Sequence, residues 1–219
     1  MSLTPTPYLY EAITYHPNTE DREATIKKFV DGITLQSKNV RGFLGVAMEG
    51  NKQEVPGESV RLLVWESEEA ITNFQKSPFF GQFQEICKGS TVGTSSIAHY
   101  RFFRALPRIP AVVEWVEIQL KADVKFADFY HAWDKALEGV RKALGCTGIE
   151  VGQQVEDPSR SLQVQGWESM ENHITDFKKL EGFAQLMDGL TDVVNVYVEG
   201  GWKGCTAAHV LTTLPGYGA

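Results

Sequence analysis

The alternation of apolar and polar positions indicates the same order of elements twice along the 219-residue chain. Aromatic and β-branched residues bounded by turn signals predict strands, and apolar residues recurring every three or four positions predict helices. In the first half these patterns predict a strand over residues 8–15, a helix starting at Glu20 and Asp21, strands over 43–48 and 60–65, a helix capped by Ser67 and a strand over 97–103. In the second half they predict a strand over residues 112–120, a helix over 126–144, strands over 147–151 and 162–167, a helix over 170–187 and a strand over 207–211.

The two halves are also similar residue by residue. A shift of 103 positions aligns them, with a one-residue deletion before the tryptophan-containing strand and about seven extra residues before the last strand of the second copy. Similarities in this order are typical of a tandem repeat. We therefore predict a first repeat over residues 1–103, a linker over 104–111 containing Pro107 and Pro110, and a second repeat over 112–219. The aligned pairs include Glu11 with Glu114, Gly42 with Gly145, Trp65 with Trp167, Ile71 with Ile174, and His99 with His209.

The order βαββαβ in each repeat is the ferredoxin-like plan, in which helices cover one face of an antiparallel sheet. The other sheet face would be apolar and must be covered, and a second copy in the same chain can cover it. We predict an α+β fold in which two tandem ferredoxin-like repeats form a pseudo-symmetric dimeric α+β barrel within one chain. Because the barrel would be completed internally, a monomer is expected, and any homodimer would use the helix faces.

Composition excludes several classes of partner. The formal net charge is −7 and no run of Lys or Arg interrupts the acidity, so nucleic acid is not an expected partner. No apolar stretch approaches the roughly eighteen residues of a membrane span, and residues 1–7 lack the features of a secretory signal. The three cysteines are far apart in the sequence and suggest no disulfide framework. These features predict a cytoplasmic protein that does not bind membranes.

The sequence also resembles a known family. Residues 62–70 have the sequence LLVWESEEA and lead into a phenylalanine-rich stretch up to Phe83. This combination is similar to the signature of antibiotic-biosynthesis-monooxygenase-type domains in the dimeric α+β barrel superfamily. The second copy, beginning at Trp167, is a weaker match. The resemblance spans nearly the whole chain as two fused domains, an arrangement similar to that of fungal tandem proteins.

The resemblance implies a fold but not a reaction. The superfamily includes cofactor-free oxygenases, polyketide cyclases, haem proteins and stress proteins. Many of its domains have a histidine in the helix after the tryptophan-containing strand, at a position that corresponds roughly to Asn73 and Asp176 here. The catalytic histidine of its plant polyketide cyclases corresponds to Phe80 and Phe183. Neither catalytic group is carried over to this chain.

Two repeated carboxylates are candidate catalytic groups. Glu11 and Glu114 occupy the same point of the first strand in each copy, among apolar residues of the same strand face. In ferredoxin-like order this strand neighbours the strand that contains His99 or His209. Each Glu and His could therefore form a cross-strand pair, an arrangement that can hold a general base. A feature kept in both copies is more simply explained as part of the fold, and we favour that interpretation.

Residues that differ between the copies are stronger candidates for function. His16 follows the first strand, where the second copy has Gln119, although a surface histidine explains it equally well. The insertion over residues 190–204 contains Tyr197 and Trp202 and ends in glycines, a composition typical of a lid over one site. An extra strand over residues 193–198 at a sheet edge is the alternative. We therefore expect one functional cavity, not two equivalent ones.

Four further aromatic residues are candidate substrate-binding groups. Trp65 and Trp167 are repeated, so packing explains them first and cavity lining second. Tyr130 and Trp133 lie on one apolar helical stripe, where core packing is the simpler explanation. Their hydroxyl and indole groups would still need partners if buried, which leaves room for a cavity. The remaining histidines are expected at the surface: His131 and His173.

The sequence contains no recognisable zinc spacing, phosphate loop or nucleophile elbow, and we predict no metal or cofactor. The first hypothesis is a cofactor-independent enzyme of secondary metabolism, of cyclase, isomerase or lyase type. Such an enzyme would move a proton on an aromatic or polyketide-like molecule in an apolar cavity. The second is a cofactor-free monooxygenase, and the third is a non-catalytic module that binds an apolar ligand or serves in a stress response.

Overall fold

The computed structural model describes residues 3–106 and 109–215 as a closed barrel of eight strands with helices on its outside. The predicted linker residues Pro107 and Arg108, and the ends of the two predicted repeats at residues 1–2 and 216–219, lie outside the described residues. The strands are β1 (Leu9–Pro17), β2 (Phe43–Lys52), β3 (Ser59–Trp65), β4 (Thr91–Phe102), β5 (Val112–Gln119), β6 (Cys146–Gln154), β7 (Arg160–Trp167) and β8 (Cys205–Pro215). The α-helices are α1 (Arg22–Asn39), α2 (Glu68–Lys76), α3 (Pro78–Cys87), α4 (Phe126–Ala136) and α5 (Phe183–Tyr197).

The order of the strands in the barrel is β1-β3-β2-β8-β5-β7-β6-β4. Each half is therefore one four-stranded antiparallel sheet, and the halves join through β2 with β8 and β4 with β6. The predicted α+β architecture of two tandem ferredoxin-like repeats is confirmed. The closure also pairs the outermost strands of both sheets, so neither sheet leaves an unpaired edge at these junctions.

Three apolar cores follow from the alternation of side chains along the strands. The barrel interior is filled from both repeats, and the other two cores lie between each sheet and its own helices. The predicted face-to-face packing of the two sheets is thereby confirmed. The side chains filling the barrel include Tyr10, Met48, Leu62, Phe102, Val113, Trp115, Leu162 and Val210.

Equivalent residues of the two repeats adopt equivalent local structures. Gly42 and Gly145 both have left-handed backbone angles, with φ of +85° and +78°. Each glycine directly precedes a strand, β2 or β6, that starts with a bulge. A Cβ atom on Gly42 would lie 2.6 Å from the Cβ of Ala70, so another residue would be strained and crowded there. The one-residue difference between the copies is located at a second bulge of β2, between Val46 and Met48, which β6 lacks.

The helices differ from the sequence prediction in both repeats. The expected cap of α2 is confirmed, since the Ser67 hydroxyl accepts from the Ala70 amide at 3.2 Å. The phenylalanine-rich helix of the first repeat is divided at Pro78, which starts α3 because proline fits the first position of a helix. The helix predicted over residues 126–144 ends at Ala136, and a 3₁₀ turn (Val140–Lys142) follows Gly139.

The helix predicted over residues 170–187 is wrong in the same way. These residues form a π-helical turn (Asn172–Asp176) and a 3₁₀ turn (Phe177–Lys179), and α5 starts only at Phe183. Gly182 separates the segments because its φ of +76° interrupts the right-handed path. The alternative of an extra strand over residues 193–198 is also wrong, since α5 continues to Tyr197. No helix within the described parts of the chain is both long and apolar enough to cross a membrane.

A buried ion pair fills the space between the first sheet and α1. Arg61 Nε donates to Glu49 Oε2 at 2.9 Å, and the Tyr15 hydroxyl donates to Glu49 Oε1 at 2.7 Å. The guanidinium of Arg61 lies 4.2 Å from the ring centre of Phe29 on α1. In the second repeat, the strand registers place Gln163, Val151 and Ile118 at the positions of Arg61, Glu49 and Tyr15.

The buried pair predicts a stability difference between two acidic substitutions. We expect Glu49→Gln to lower the free energy of unfolding by about 3 kcal/mol, because it leaves the Arg61 charge buried without a countercharge. Asp31→Asn is the control, since it breaks the exposed Lys27–Asp31 pair on α1, and we expect a loss of about 0.5 kcal/mol or less. Urea denaturation monitored by tryptophan fluorescence measures both. Equal losses in the two variants would contradict the assignment.

The internal closure of the barrel predicts a monomer in solution. Both sheet junctions and the barrel core are formed within the chain, so no second copy is needed to cover them. Sedimentation equilibrium over a hundredfold range of concentration should give the monomer mass throughout. An obligate dimer that dissociates only on unfolding would refute this expectation.

Candidate active site

An apolar cavity of about 360 Å³ lies between the sheet and the helices of the second repeat. It is on the outer face of the sheet and is separate from the core of the barrel. The polar groups at its base come from three neighbouring strands: Glu114 on β5, Gln163 and Gln165 on β7, and His209 on β8. The apolar wall consists mainly of Val116, Trp133, Leu137, Val140, Phe177, Phe183, Met187 and Leu190.

The mouth of the cavity is formed by exposed side chains. Ile174 and Trp202 keep 43% and 44% of their possible exposure, and Lys178 is also exposed. Trp202 belongs to a 3₁₀ turn (Gly201–Gly204) after α5, and its indole Nε1 donates to the Thr191 hydroxyl at 3.2 Å. The insertion of the second repeat therefore places one aromatic side chain at the mouth.

His173 lines the cavity from the π-helical turn (Asn172–Asp176). The hydroxyls of Ser67 and Ser169 each accept from the amide three residues later, at 3.2 Å and 3.1 Å. Counting from these serines, His173 occupies the position of Ile71 in the first repeat. The π turn then adds one residue, which brings Phe177 into line with Phe74 farther along. A π turn within a helical segment is frequently found at functional sites.

The imidazole of His173 is partly buried, so the expected surface position of this residue is wrong. Its ring stacks on the fully buried Trp167 with ring centres 4.6 Å apart and planes 25° from parallel. His131, by contrast, is exposed as predicted. The stacking fixes the plane of the His173 ring.

Four ionisable side chains form a continuous chain from the cavity to the surface. Glu114 Oε2 lies 3.3 Å from His173 Nε2, and His173 Nδ1 lies 2.9 Å from His209 Nε2. His209 Nδ1 contacts a carboxylate oxygen of Glu54, and the His209 amide donates to the other oxygen at 2.8 Å. Glu54 follows β2 in the first repeat and is 43% exposed, so both repeats contribute to the site.

Burial controls the protonation of this chain at its inner end. Desolvation raises the pKa of Glu114 to about 7, an effect that His209 and the Trp167 indole reduce. Desolvation, followed by the charges of His209 and Lys178, lowers the pKa of His173 to about 4. At the outer end, desolvation alone would raise the Glu54 pKa, but the hydrogen bonds and the charge of His209 together outweigh it and lower the Glu54 pKa. Near pH 6, Glu114 and His173 are therefore both uncharged.

The corresponding part of the first repeat is more completely filled. Ile71 is buried where the second repeat has His173, and the larger Arg61 is buried where it has Gln163. Glu11 accepts from the Trp65 indole at 2.7 Å, and desolvation raises the Glu11 pKa although Trp65, His99 and Arg61 oppose this. A larger recess of about 490 Å³ lies elsewhere on this repeat, and its lining includes the polar residues Asn39, Arg41, Glu66, Ser67, Glu69, Asn73 and Ser77.

The structure brings together some of the candidate catalytic residues. Glu114 and His209 are register partners on β5 and β8, and Glu11 and His99 are register partners on β1 and β4, as the cross-strand pairing predicted. Only the first pair lines the apolar cavity. His16 is exposed, with its Nδ1 3.0 Å from the Gly57 carbonyl oxygen, and it lines neither cavity described above.

Of the aromatic residues predicted to bind substrate, some line the cavity and others do not. Trp133 and Trp202 line the cavity, and the Trp133 indole donates to Gln163 Oε1 at 2.7 Å. Trp65 and Trp167 are fully buried packing residues beside the helices, and neither lines the cavity. The Tyr130 hydroxyl donates to the buried Glu150 at 2.7 Å. Tyr197, the last candidate, packs edge-on against Phe129 of α4.

Sequence reasoning missed three residues of the site. His173 was hidden because the alignment by 103 positions places Ile71 on Ile174 and gives no sign of a π turn. Gln163 and Gln165 alternate along β7 on the helix side of the sheet, and two glutamines at buried strand positions were the available signal. Within residues 3–106 and 109–215, no three His, Cys, Asp or Glu side chains are grouped as metal ligands are.

Comparison with known structures gives the same architecture. The chain matches a protein from Lactobacillus acidophilus, described as a candidate monooxygenase, with a TM-score of 0.69 at 12% identity over 97% of both chains. It matches another candidate monooxygenase, from Fusobacterium nucleatum, with a TM-score of 0.69 at 10% identity over 97% of this chain and 95% of that one. An anthrone oxidase-like protein gives a TM-score of 0.60 at 10% identity, over 95% and 92% of the two chains.

These likenesses define the class of fold. The chain has the dimeric α+β barrel fold, and the resemblance seen in the sequence is confirmed at that level. No protein-family model matches the sequence, and no curated protein matches it. At identities of 10–12%, the likeness to solved structures does not assign a reaction to this chain.

The raised pKa of Glu114 predicts how stability depends on pH. The folded state holds a proton on Glu114 between the ordinary value of 4.5 and the folded value of about 7, so this group stabilises less and less as the pH rises through 7. We expect Glu114→Gln to gain on the order of 2 kcal/mol in unfolding free energy, relative to the parent, between pH 5 and pH 8. His173 contributes the opposite trend below pH 6.5, but it is present in both proteins and cancels to first order.

Denaturant titrations at pH 5 and pH 8 measure this difference. Glu138→Gln, a change of an exposed carboxylate after α4, is the control, and its difference in stability from the parent should be the same at both pH values. If Glu114→Gln and the parent lose stability in parallel between the two pH values, the Glu114 carboxyl does not titrate near neutrality.

Proposed function

We propose that this protein is a cofactor-independent enzyme that removes a proton from an apolar, aromatic small molecule bound in the cavity of the second repeat. The single observation that supports this most strongly is the position of Glu114. It is a carboxyl group with a pKa of about 7 at the polar base of a cavity whose walls are apolar. A titratable group of this kind in a cleft is a recognised mark of an active site.

Glu114 is the general base in this proposal. A base is most effective when its pKa is near the working pH, because it is then both available and strong. Its side chain keeps 21% of its possible exposure, so a ligand in the cavity can reach it although bulk water is mostly excluded. The Gln163 and Gln165 amides lie beside it at the base of the cavity and can donate to a substrate oxygen on which negative charge develops.

Removal of a proton is the first step of several reactions. The resulting anion can cyclise, isomerise or eliminate a group, which are the reactions of a cyclase, isomerase or lyase. It can also reduce molecular oxygen directly, as a cofactor-free monooxygenase requires. An anthrone, for example, plus one O₂ would give one anthraquinone and one water. The fold shared with proteins described as candidate monooxygenases and as anthrone oxidase-like favours this second candidate.

The polar base of the cavity argues against simple sequestration of an apolar ligand. Desolvating a carboxyl group and imidazoles beneath an apolar ligand would weaken its binding unless these groups bond to the ligand. A protein that only sequesters an apolar ligand would bind it more tightly with an apolar side chain in place of His173, as the first repeat has with Ile71. The acid–base groups are therefore better explained by proton transfer.

We expect an anthrone to be a usable probe of the proposed reaction. In the absence of oxygen, the parent protein should catalyse exchange of its acidic methylene protons with deuterium from the solvent, followed by NMR. Glu114→Gln should slow this exchange at least about a hundredfold, since a general base contributes about that much. The matched control is Glu11→Gln, the same residue at the equivalent strand position, which lies outside the apolar cavity and should keep the parent rate.

Oxygen distinguishes the two reaction types. Oxygen uptake with formation of one quinone per O₂ supports the monooxygenase candidate, whereas exchange without uptake supports a cyclase, isomerase or lyase. If neither occurs with any aromatic ketone or phenol that binds, or if both variants behave like the parent, Glu114 is not a catalytic base.

A further inference from the structure

The outer histidine of the site is held by the other repeat. Glu54 lies in the connection between β2 and β3 of the first repeat, and both of its carboxylate oxygens bond to His209, one to the ring Nδ1 and one to the backbone amide. The reverse arrangement occurs as well, since Glu156, between β6 and β7, bonds in the same two ways to His99. The two contacts are equivalent in form, but only one of them adjoins the cavity.

The Glu54 contact fixes the direction of the hydrogen bonds in the chain. A carboxylate can only accept, so His209 Nδ1 must donate to Glu54 and His209 Nε2 is then the acceptor in the neutral ring. His173 Nδ1 must donate to that nitrogen, which leaves His173 Nε2 as the acceptor facing Glu114 Oε2. A protonated Glu114 can donate in this direction. All four groups are thus oriented the same way.

We propose that Glu54 is a positioning residue for the active site of the other repeat and the outer end of a proton path from Glu114 through His173 and His209 to solvent. This inference rests on the proposed function of Glu114 as a base. After Glu114 takes a proton from the substrate, that proton must leave before the next turnover. The path carries it from the cavity to a carboxylate that is 43% exposed.

The transfer is balanced at each group. The O–H bond of Glu114 breaks as a bond from hydrogen to His173 Nε2 forms, and His173 Nδ1 gives its proton to His209 Nε2. His209 Nδ1 gives its proton to Glu54, which releases it to water. One proton enters and one leaves, no electrons move, and both imidazoles end as the other neutral tautomer. Each ring returns to its starting tautomer after product release by rotating out of the path, taking a proton from water at Nδ1 and giving the Nε2 proton to water, so the reset carries no net proton back to Glu114.

Few other charges face this chain. Lys178 acts on His173 from the segment after the π turn, and Cys146 on β6 is electrostatically close to Glu114. Glu58 and Lys52, which flank Glu54 in the first repeat, form their own ion pair at 2.6 Å. None of these groups lies between the members of the chain in the described structure, so the path does not depend on them.

The first repeat provides a natural comparison in which the path is interrupted. His99 Nδ1 bonds to Glu156 as His209 Nδ1 bonds to Glu54, but His99 Nε2 is buried without a hydrogen-bond partner among the described residues. The side chain at the position of His173 is Ile71 there. Glu156 therefore holds a histidine without connecting it to a base.

The test compares Glu54→Ala with Glu156→Ala in the ligand-free full chain. Nitrogen-15 NMR of histidine-labelled protein reports which ring nitrogen carries hydrogen. In the parent protein we expect the Nδ1–H tautomer in the neutral form of both His209 and His173. Glu54→Ala should remove this preference at both rings, whereas Glu156→Ala should change only His99. The inference is overturned if Glu54→Ala leaves both tautomers intact, or if Glu156→Ala disturbs them as much.

Glu54→Gln separates positioning from proton acceptance and is available if the alanine variant does not fold. Its amide oxygen can still accept from His209 Nδ1, which the same NMR measurement verifies, but it cannot take up a proton. In the deuterium-exchange assay with an anthrone, kcat should fall about tenfold or more with KM unchanged. A parent-like kcat would overturn the proton path. Because the NMR measurement needs no substrate, it remains decisive for the positioning role even if Glu114 proves not to be a base.

Discussion

The shared core of the barrel is the constraint from which the rest of the structure follows. Each four-stranded sheet has an apolar inner face that its own helices do not cover, and the two faces are buried against one another with both edges paired. Neither repeat can satisfy this requirement alone. The inner faces must therefore remain apolar in both repeats, and variation is confined to the outer faces and their helices.

The outer faces differ because each repeat fills the same space with different side chains. In the first repeat the Arg61–Glu49 pair and Ile71 occupy the layer between sheet and helices. In the second repeat Gln163 and Val151 stand at the positions of the ion pair, and the smaller side chains leave a cavity that Glu114 and His173 enter. The first repeat can thus have a well-packed layer between sheet and helices, while the second repeat contains buried polar groups that lower stability.

Most of the fold could be predicted from the sequence because it depends on the spacing of apolar residues along each element and on the similarity of the two repeats. The paired glycines, the capping serines and the buried strands around Trp65 and Trp167 all have local causes that the pattern contains. The candidate site could be predicted only in part. Glu114, His209 and Trp202 were singled out, but the extra residue of the π turn hid the match between His173 and the buried Ile71. A helical period does not reveal where a helix accommodates an extra residue.

The contribution of Glu54 could not have been predicted from the repeat at all, because it depends on how the two sheets close. The connection after β2 approaches β8 only since those strands pair at the junction between the repeats, with Lys52 opposite Val210. The same junction that completes the barrel therefore also delivers a carboxylate to the site. The equivalent junction between β4 and β6 brings Glu156 to His99, which lines neither of the two cavities described above. Because the two repeats are pseudo-symmetric, both Glu–His contacts form. Only the contact of Glu54 with His209 connects to a base, because the second repeat has His173 where the first has Ile71.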